Sequence, residues 1–397
     1  MKKRKSKEKQ IKKPTAVSMF AGCGGMDVGF IQAGFDVVWA NDINQDACKT
    51  YRENIGDIIC DDIDNLIPPK VAGLDVLMGG FPCQPYSNAG NRKGLKDHRG
   101  NLYQYCLDFA RQLSPKFILL ENVRGFLSIK GTRKKLVEEI CDSLIHLGYE
   151  VHLNLVNAAD FGVPQNRLRV IIVGVKKSAT VGTYRFPKTM SGLDLSIGKA
   201  IRGIKPNCPN QNDLLRLNPQ AIQIGSMVPE GGSWKSIPYE KLPPRLQYIR
   251  NNMRKYRWPN FYRRFHRTEI AGTITAAFKP ENAGVWHPLK GRVLSAREIA
   301  RIQTFPDSFR FYGRSVKSIY EMIGNAVPPG LARVFAESIK LSLAGVDALA
   351  EVRNYFEVME SGVPIRPDET EMIYMRKQVR KENKIEKENE LLLTTVA

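Results

Sequence analysis

Between residues 15 and 175 short apolar runs alternate with amphipathic stretches, and no other feature of the chain constrains its fold as strongly. The runs at 16–20, 37–40, 75–78, 117–120 and 170–175 predict strands, and helical spacing predicts helices over 101–113 and 132–147. Such alternation is expected of an α/β, doubly wound and mostly parallel sheet. Beyond about residue 176 the composition shifts to Pro, Gly, Asn and Arg with interleaved aromatics, most densely in NNMRKYRWPNFYRRFHR at 251–267. A second, smaller and irregular domain fits that composition. Helical spacing returns over 295–303 and 330–343, which brings the chain back to the first domain. The expected organisation is a basic tail at 1–14, a first domain at 15–176 completed by 316–345, a second at 177–315 and a charged extension at 346–397.

A chain of 397 residues with 43% hydrophobic content can bury the cores of two domains. Its apolar runs stay far below the roughly 20 residues that a membrane-spanning helix needs, so no membrane partner is expected. The basic head MKKRKSKEKQIKKP lacks the apolar stretch and small-residue cleavage site of a secretory signal, which predicts a cytoplasmic protein. Seven cysteines, an odd number with no C-x-x-C pair and no clustering with the five histidines, read as reduced thiols rather than disulfides or a zinc site. One thiol is therefore free to serve as a nucleophile. The net charge of +20 favours a polyanionic partner, nucleic acid being the commonest, or else reflects a solvated basic head.

FAGCGG at 20–25 directly follows the first predicted strand, so its glycines either turn the backbone tightly against a small ligand or make an ordinary turn. Asp42 ends the second strand in WANDIN, where an acid in such folds accepts hydrogen bonds from a ribose diol. The pair points to an adenosine-containing cofactor. Its G-x-G-G pattern departs from the G-x-G-x-x-G of dinucleotide folds and argues against NAD. GGFPCQPYS at 79–87 holds Cys83 in a proline-flanked loop after the strand at 75–78. A single cysteine is more often a small buried apolar group, but this setting makes a poor core strand and suits a rigid nucleophile. Glu121 of ENV stands at the carboxyl edge of the strand at 117–120, where open α/β sheets bind ligands, or else opens a helix. The alternation in QNRLR puts Gln165, Arg167 and Arg169 on one face of a strand, as a functional row or a plain charged edge.

The ordered series FAGCGG, ANDIN, GGFPCQPYS, ENV, PQNRLR, RVLSAREIARIQTFPDSF and GNAVPP resembles the motif set of the bacterial DNA cytosine-5 methyltransferases of restriction-modification systems, over roughly residues 15–345. The resemblance implies a sheet of the S-adenosylmethionine-dependent methyltransferase type and an irregular target-recognition domain. It implies S-adenosyl-L-methionine as cofactor and double-stranded DNA as partner. By that resemblance the thiolate of Cys83 adds to carbon 6 of a flipped cytosine, so that carbon 5 can attack the methyl sulfonium. Glu121 would donate to ring nitrogen 3, Arg167 would contact the target cytosine and help hold the catalytic arrangement, and Arg169 would support Glu121 or a phosphate. No residue is named for the base that removes the carbon 5 proton.

Around the cofactor the resemblance implies Phe20 against the methionine or adenine part, Gly22, Gly24 and Gly25 at the turn, Asp42 on the ribose, Ile43 against adenine and Asp62 beside the adenine amino group. Pro82, Leu102 and Asn325 are implied nearby. Many family members have an aromatic where this chain has Ile43, which implies less stacking. On the DNA side stand Ser87 and Arg99 of the loop SNAGNRKGLKDHR, Gln165, and Thr273 and Thr275 near the flipped nucleotide's phosphate, with Arg297 organising the recognition domain. The loop at 87–99 also reads as a plain surface loop. A monomer is implied, with a cognate restriction endonuclease acting separately. Two rival readings are an RNA cytosine-5 methyltransferase, whose compact recognition region and Cys-Phe-Thr signature are not found here, and an inert DNA-binding relative. Against the latter stand Cys83, Glu121 and Arg167, all present.

Overall fold

The computed structural model describes residues 13–82, 102–129, 135–253, 261–277 and 286–346. Among them one sheet contains β1 (Thr15–Met19), β2 (Asp36–Asp42), β3 (Ile59–Cys60), β4 (Val76–Gly79), β5 (Phe117–Val123), β6 (Tyr149–Asn157) and β7 (Leu168–Lys176). The spatial order is β3-β2-β1-β4-β5-β7-β6. Pairing is parallel from β3 through β5, and antiparallel between β5 and β7 and between β7 and β6. The expected α/β sheet is therefore present, mostly parallel, with one antiparallel hairpin at its edge. Every predicted strand overlaps an observed one. β3 is too short to leave a periodic signal, and β6, whose sequence YEVHLNLVN alternates apolar and polar side chains, is an additional strand.

The described helices are α1 (Gly25–Gln32), α2 (Gln45–Asn54), α3 (Leu102–Leu113), α4 (Leu136–His146), α5 (Ile197–Ala200), α6 (Pro219–Met227), α7 (Pro244–Asn251), α8 (Ala296–Ile302), α9 (Val316–Asn325) and α10 (Pro329–Leu343). The helices predicted over 101–113 and 132–147 correspond to α3 and α4, with residues 101 and 132–134 outside the described ones. None of the described helices is long and apolar enough to cross a membrane.

β4 and β5 are covered on both faces, which is why their sequences VLM and FILL are unbroken apolar runs rather than alternating ones. One core fills the space between the sheet and helices α1 and α10, with Phe30, Phe117, Phe161, Phe186 and Phe335 in it. α1 and α10 touch backbone to backbone. A Cβ on Gly29 would lie 2.5 Å from the Pro329 carbonyl oxygen and 2.6 Å from Ala332 Cβ, so only glycine permits the approach. A second core gathers around Trp234 and Trp286, 0% and 1% exposed, with Ile197, Ile224, Leu246, Ile249, Ile299 and Ile323 from α5 to α9. Its extended segments form only isolated bridges among the described residues. The chain passes from the second core to the first between α9 and α10, at residues 326–328.

Candidate active site

The strand order reverses between β1 and β4, and in an open α/β sheet the loops leaving the carboxyl ends of strands on either side of such a point diverge and open a crevice. Phe20 leaves β1 with φ of 54°, followed by Gly22 at 58° and Gly24 at 88°. Three left-handed residues in five turn the chain back on itself into α1. A side chain on Gly24 would strike Ile55 Cδ1 at 2.1 Å, whereas the space over Gly22 is open. One strand over, the Asp42 carboxylate accepts from Gly22 N and from Asn44 N, both at 2.8 Å. Burial pushes the Asp42 carboxyl up, and the amide N–H groups of Asn44 and Gly22 pull it part of the way back. Each oxygen keeps a lone pair for a further donor, which is the chemistry a ribose diol supplies. Ile43, 64% exposed, presents an apolar side chain beside that acid. Cys60 of β3 is the register partner of Asp42, so Asp62 stands just beyond the same strand ends. There it caps a short turn by accepting from Asp64 N at 3.2 Å.

The second half of the site lies at the ends of β4 and β5. A Cβ on Gly80 would be 3.9 Å from Glu121 Oε2 and 4.0 Å from the Phe20 carbonyl oxygen, so the glycine loop, the end of β4 and Glu121 share one locale. Pro82 is exposed there. Asn122 is buried and donates from Nδ2 to the Phe81 carbonyl at 3.2 Å, while its Oδ1 accepts from Val123 N. It thus fixes the segment that leads to Cys83. Cys83 itself, with Ser87 and Arg99, lies outside the described residues.

Glu121 is 9% exposed and Arg169 8%, and Arg169 Nε meets Glu121 Oε1 at 2.7 Å in an ionic contact. Arg169 Nη1 donates to the Leu168 carbonyl. Burial pushes the Arg169 guanidinium down, and Glu121 offsets this. The antiparallel direction of β7 makes this pairing. Val123 at the end of β5 is in register with Arg169 near the beginning of β7.

The structure corrects two expectations for this segment. β7 begins only at Leu168, so Gln165 and Arg167 are not on a strand face with Arg169. Arg167, expected at the target cytosine, is 1% exposed and spends its guanidinium on the carbonyls of Ile274 at 2.7 Å, Gly324 at 2.9 Å and Ala326 at 2.9 Å. Gln165, expected at DNA, is wholly buried. Its Nε2 donates to Gln303 Oε1 at 2.8 Å and its Oε1 accepts from Ile274 N at 2.7 Å. The arginine that accompanies Glu121 is Arg169.

Thr273 and Thr275 are exposed on either side of buried Ile274. α9 packs on this loop so closely that a Cβ on Gly324 would lie 2.4 Å from the Thr275 carbonyl carbon. Exposed Asn325 is therefore a chain neighbour of the contact with the Thr275 loop. Leu102 is half-buried at the start of α3. Arg297 is fully buried, with Nε on the Pro209 carbonyl, Nη1 on Pro306 and Nη2 on Phe309, so it organises backbone rather than meeting a ligand. Asn122 and Gln303 were not singled out in the sequence. The only signal either left is a polar residue inside an apolar segment.

The C-5 cytosine-specific DNA methylase family matches residues 15–341. Over 340 residues the chain is 39% identical to the Type II methyltransferase M.NgoFVII of Neisseria gonorrhoeae, covering 82% of this chain and 86% of that protein. It is 34% identical to M.MthTI of Methanothermobacter thermautotrophicus over 83% of this chain and 98% of that one. A solved structure of Spodoptera frugiperda DNMT2 matches at TM-score 0.55 and 18% identity, over 83% of this chain and 99% of that chain, a likeness of fold. The chain belongs to the C-5 cytosine-specific DNA methylases and is a DNA (cytosine-5-)-methyltransferase.

Proposed function

We propose that the protein transfers a methyl group from S-adenosyl-L-methionine to carbon 5 of a cytosine flipped out of a short, specific duplex sequence, through a covalent adduct at Cys83. The observation that carries the reading is the buried Glu121–Arg169 pair beside Gly80, at the strand ends from which the chain runs on to Cys83. The cofactor supplies a methyl on a positively charged sulfur. The donor set fits it: Asp42 has free lone pairs for a ribose, Ile43 offers an apolar face for adenine, and Gly22 leaves room for close approach. Phe20, Gly24, Gly25, Asp62, Pro82, Leu102 and Asn325 complete the same lining.

A thiolate at Cys83 adds to ring carbon 6, carbon 5 then takes the methyl as the bond from sulfur to that methyl breaks, and loss of the carbon 5 proton with expulsion of the thiolate restores the ring and frees Cys83. Glu121, a carboxylate at rest beside Arg169, must be protonated to donate to ring nitrogen 3 and so balance the charge developing on the ring. Arg169, in contact with Glu121, orients that carboxyl. Ser87, Arg99, Thr273 and Thr275 meet the DNA backbone and the gap left by the flipped base. Residues 15–176 completed by 316–345 form the catalytic part and 177–315 the recognition part, with α9 of the former packed in the second core and α10 in the first. A cognate endonuclease acting separately would give such a modification its use, and the relatives named above are Type II methyltransferases. The charge of +20 predicts that affinity for duplex falls steeply with salt.

The test is incubation with tritium-labelled S-adenosylmethionine and mixed-sequence duplex, wild type against Cys83→Ser, with bisulfite mapping of the product. Label at carbon 5 within one short motif, absent from the variant, is the expected result. A folded wild type that binds cofactor yet labels no duplex overturns the reading.

A further inference from the structure

We infer that Gln165, Gln303 and Arg167 form a buried ring of hydrogen bonds that ties the Thr273–Thr275 loop to Asn325, so that DNA and cofactor affinities depend on one another through Ile274 and the end of α9. The inference rests on the functional reading above for what the two exposed ends meet. The ring can be followed atom by atom. Ile274 N donates to Gln165 Oε1 at 2.7 Å, Gln165 Nε2 donates to Gln303 Oε1 at 2.8 Å, and Gln303 Nε2 donates to the Ile323 carbonyl at 2.8 Å. Arg167 closes it: Nη1 donates to the Ile274 carbonyl, and Nη2 donates to those of Gly324 and Ala326.

Both backbone polar groups of Ile274 are therefore held, and so are the carbonyls of three of the four residues from Ile323 to Ala326. Neither glutamine has any exposed surface. The orientation of each amide is dictated by its neighbour, because a flipped Gln303 would set its Nε2 against the Gln165 Nε2 donor and its oxygen against the Ile323 carbonyl. A glutamine relay with one permitted polarity is rigid, so a displacement at one end is felt at the other. The direct van der Waals approach of Gly324 to Thr275 works in the same direction. Thr273, Thr275 and Asn325 are exposed, with the Thr273 hydroxyl donating to the Asn166 carbonyl at 2.7 Å, so ligands reach both ends while the connection between them is buried. Gln165, Gln303 and Arg167 are thus positioning residues that touch neither ligand.

Two full-length variants test the ring. Gln303→Met keeps the length of the side chain and removes both hydrogen bonds, and Gln303→Glu keeps the acceptor for Gln165 but loses the donor to Ile323. Cofactor affinity is measured with and without target duplex, and amide hydrogen exchange is followed in the ligand-free protein. In wild type, duplex is expected to tighten cofactor binding by at least about fivefold. Each variant, folded by its melting transition, should lose most of that factor while affinity for either ligand alone changes less than the coupling does. Amides at 272–276 and at 323–326 should lose protection together in both variants. Unchanged coupling in folded variants overturns the inference, as does exchange confined to one of the two segments. Loss of both single-ligand affinities in step with melting temperature would show a merely structural role and overturn it too. A wild type that binds no cofactor overturns the functional reading and the coupling with it, and joint exchange of the two segments distinguishes that result from failure of the ring itself.

Discussion

Replacing Arg169 by methionine should unfold the protein more readily than any loss of packing explains, because the carboxylate of Glu121 is left behind in the interior. At the observed 2.7 Å separation the attraction between the two charges is about 6 kcal/mol for an effective dielectric of about 20. Much of this offsets the cost of burying both groups, so the pair compared with two neutral side chains is worth little. Breaking it from one side is different, and a loss of about 3–5 kcal/mol is expected for Arg169→Met. The double variant Glu121→Gln with Arg169→Met removes both charges and should lie within about 2 kcal/mol of wild type. The assay is urea denaturation of wild type, both single variants and the double, which isolates the coupling. Catalysis cannot serve, since all three variants touch the reacting site. Glu121→Gln breaks the pair from the other side at a similar cost of about 3–5 kcal/mol, so a coupling of at least about 4 kcal/mol is expected, and additivity within about 0.5 kcal/mol would refute the argument.

Three further outcomes follow from buried groups elsewhere. Asp27 accepts from the Tyr51 hydroxyl at 2.8 Å, and burial pushes its carboxyl up to about 6 against the pull of that bond. Its neutral form favours the fold, so the contribution is present below 3.8 and lost as pH rises through about 6. Urea titrations should accordingly find Asp27→Asn gaining on wild type between pH 4 and 7.5 by up to about 3 kcal/mol, and a pH-independent difference would contradict this. Gly24→Ala must place a Cβ at φ of 88° and against Ile55, and should cost about 1–3 kcal/mol in denaturant together with weaker cofactor binding. Wild-type stability would show that the turn relaxes. Arg297→Met strands three backbone carbonyls and should lose about 3–5 kcal/mol; a loss below about 1 kcal/mol would mean that water replaces the guanidinium.

The placement of the candidate site residues at strand ends was legible because its signals are local. A glycine turn after one strand, an acid at the end of the next and Glu121 at the end of β5 each require only a few neighbouring residues to recognise. The strand face drawn through Gln165 and Arg167 failed for the opposite reason. Their partners are Gln303, Ile274 and Gly324, all more than a hundred positions away, and side-chain alternation says nothing about a segment that precedes its strand. Arg169 was legible as a support for Glu121 or a phosphate, and β7 running antiparallel to β5 is what brings it to Glu121. That direction depends on β6, which carries strand periodicity immediately after the helical spacing of α4. The second core was recognised only by composition, since its helices are short and its tryptophans meet partners scattered over residues 197–323.

The backbone-to-backbone contact of α1 with α10 has a consequence for the order in which the chain acquires its shape during synthesis. Phe30 and Val76 leave the ribosome early, but Leu331, Phe335 and Ile339, which close the same core, come after the whole intervening stretch. At about 5–20 residues per second, translation from residue 30 to residue 335 takes roughly 15–60 s. For that interval the glycine face of α1 has no cover, and the turn that grips Asp42 is backed by an unfinished wall. A nascent chain is therefore a poor ligand trap, and competence arrives late and all at once. A truncated product that ends before α10 should go to quality control rather than linger as a half-active methylase.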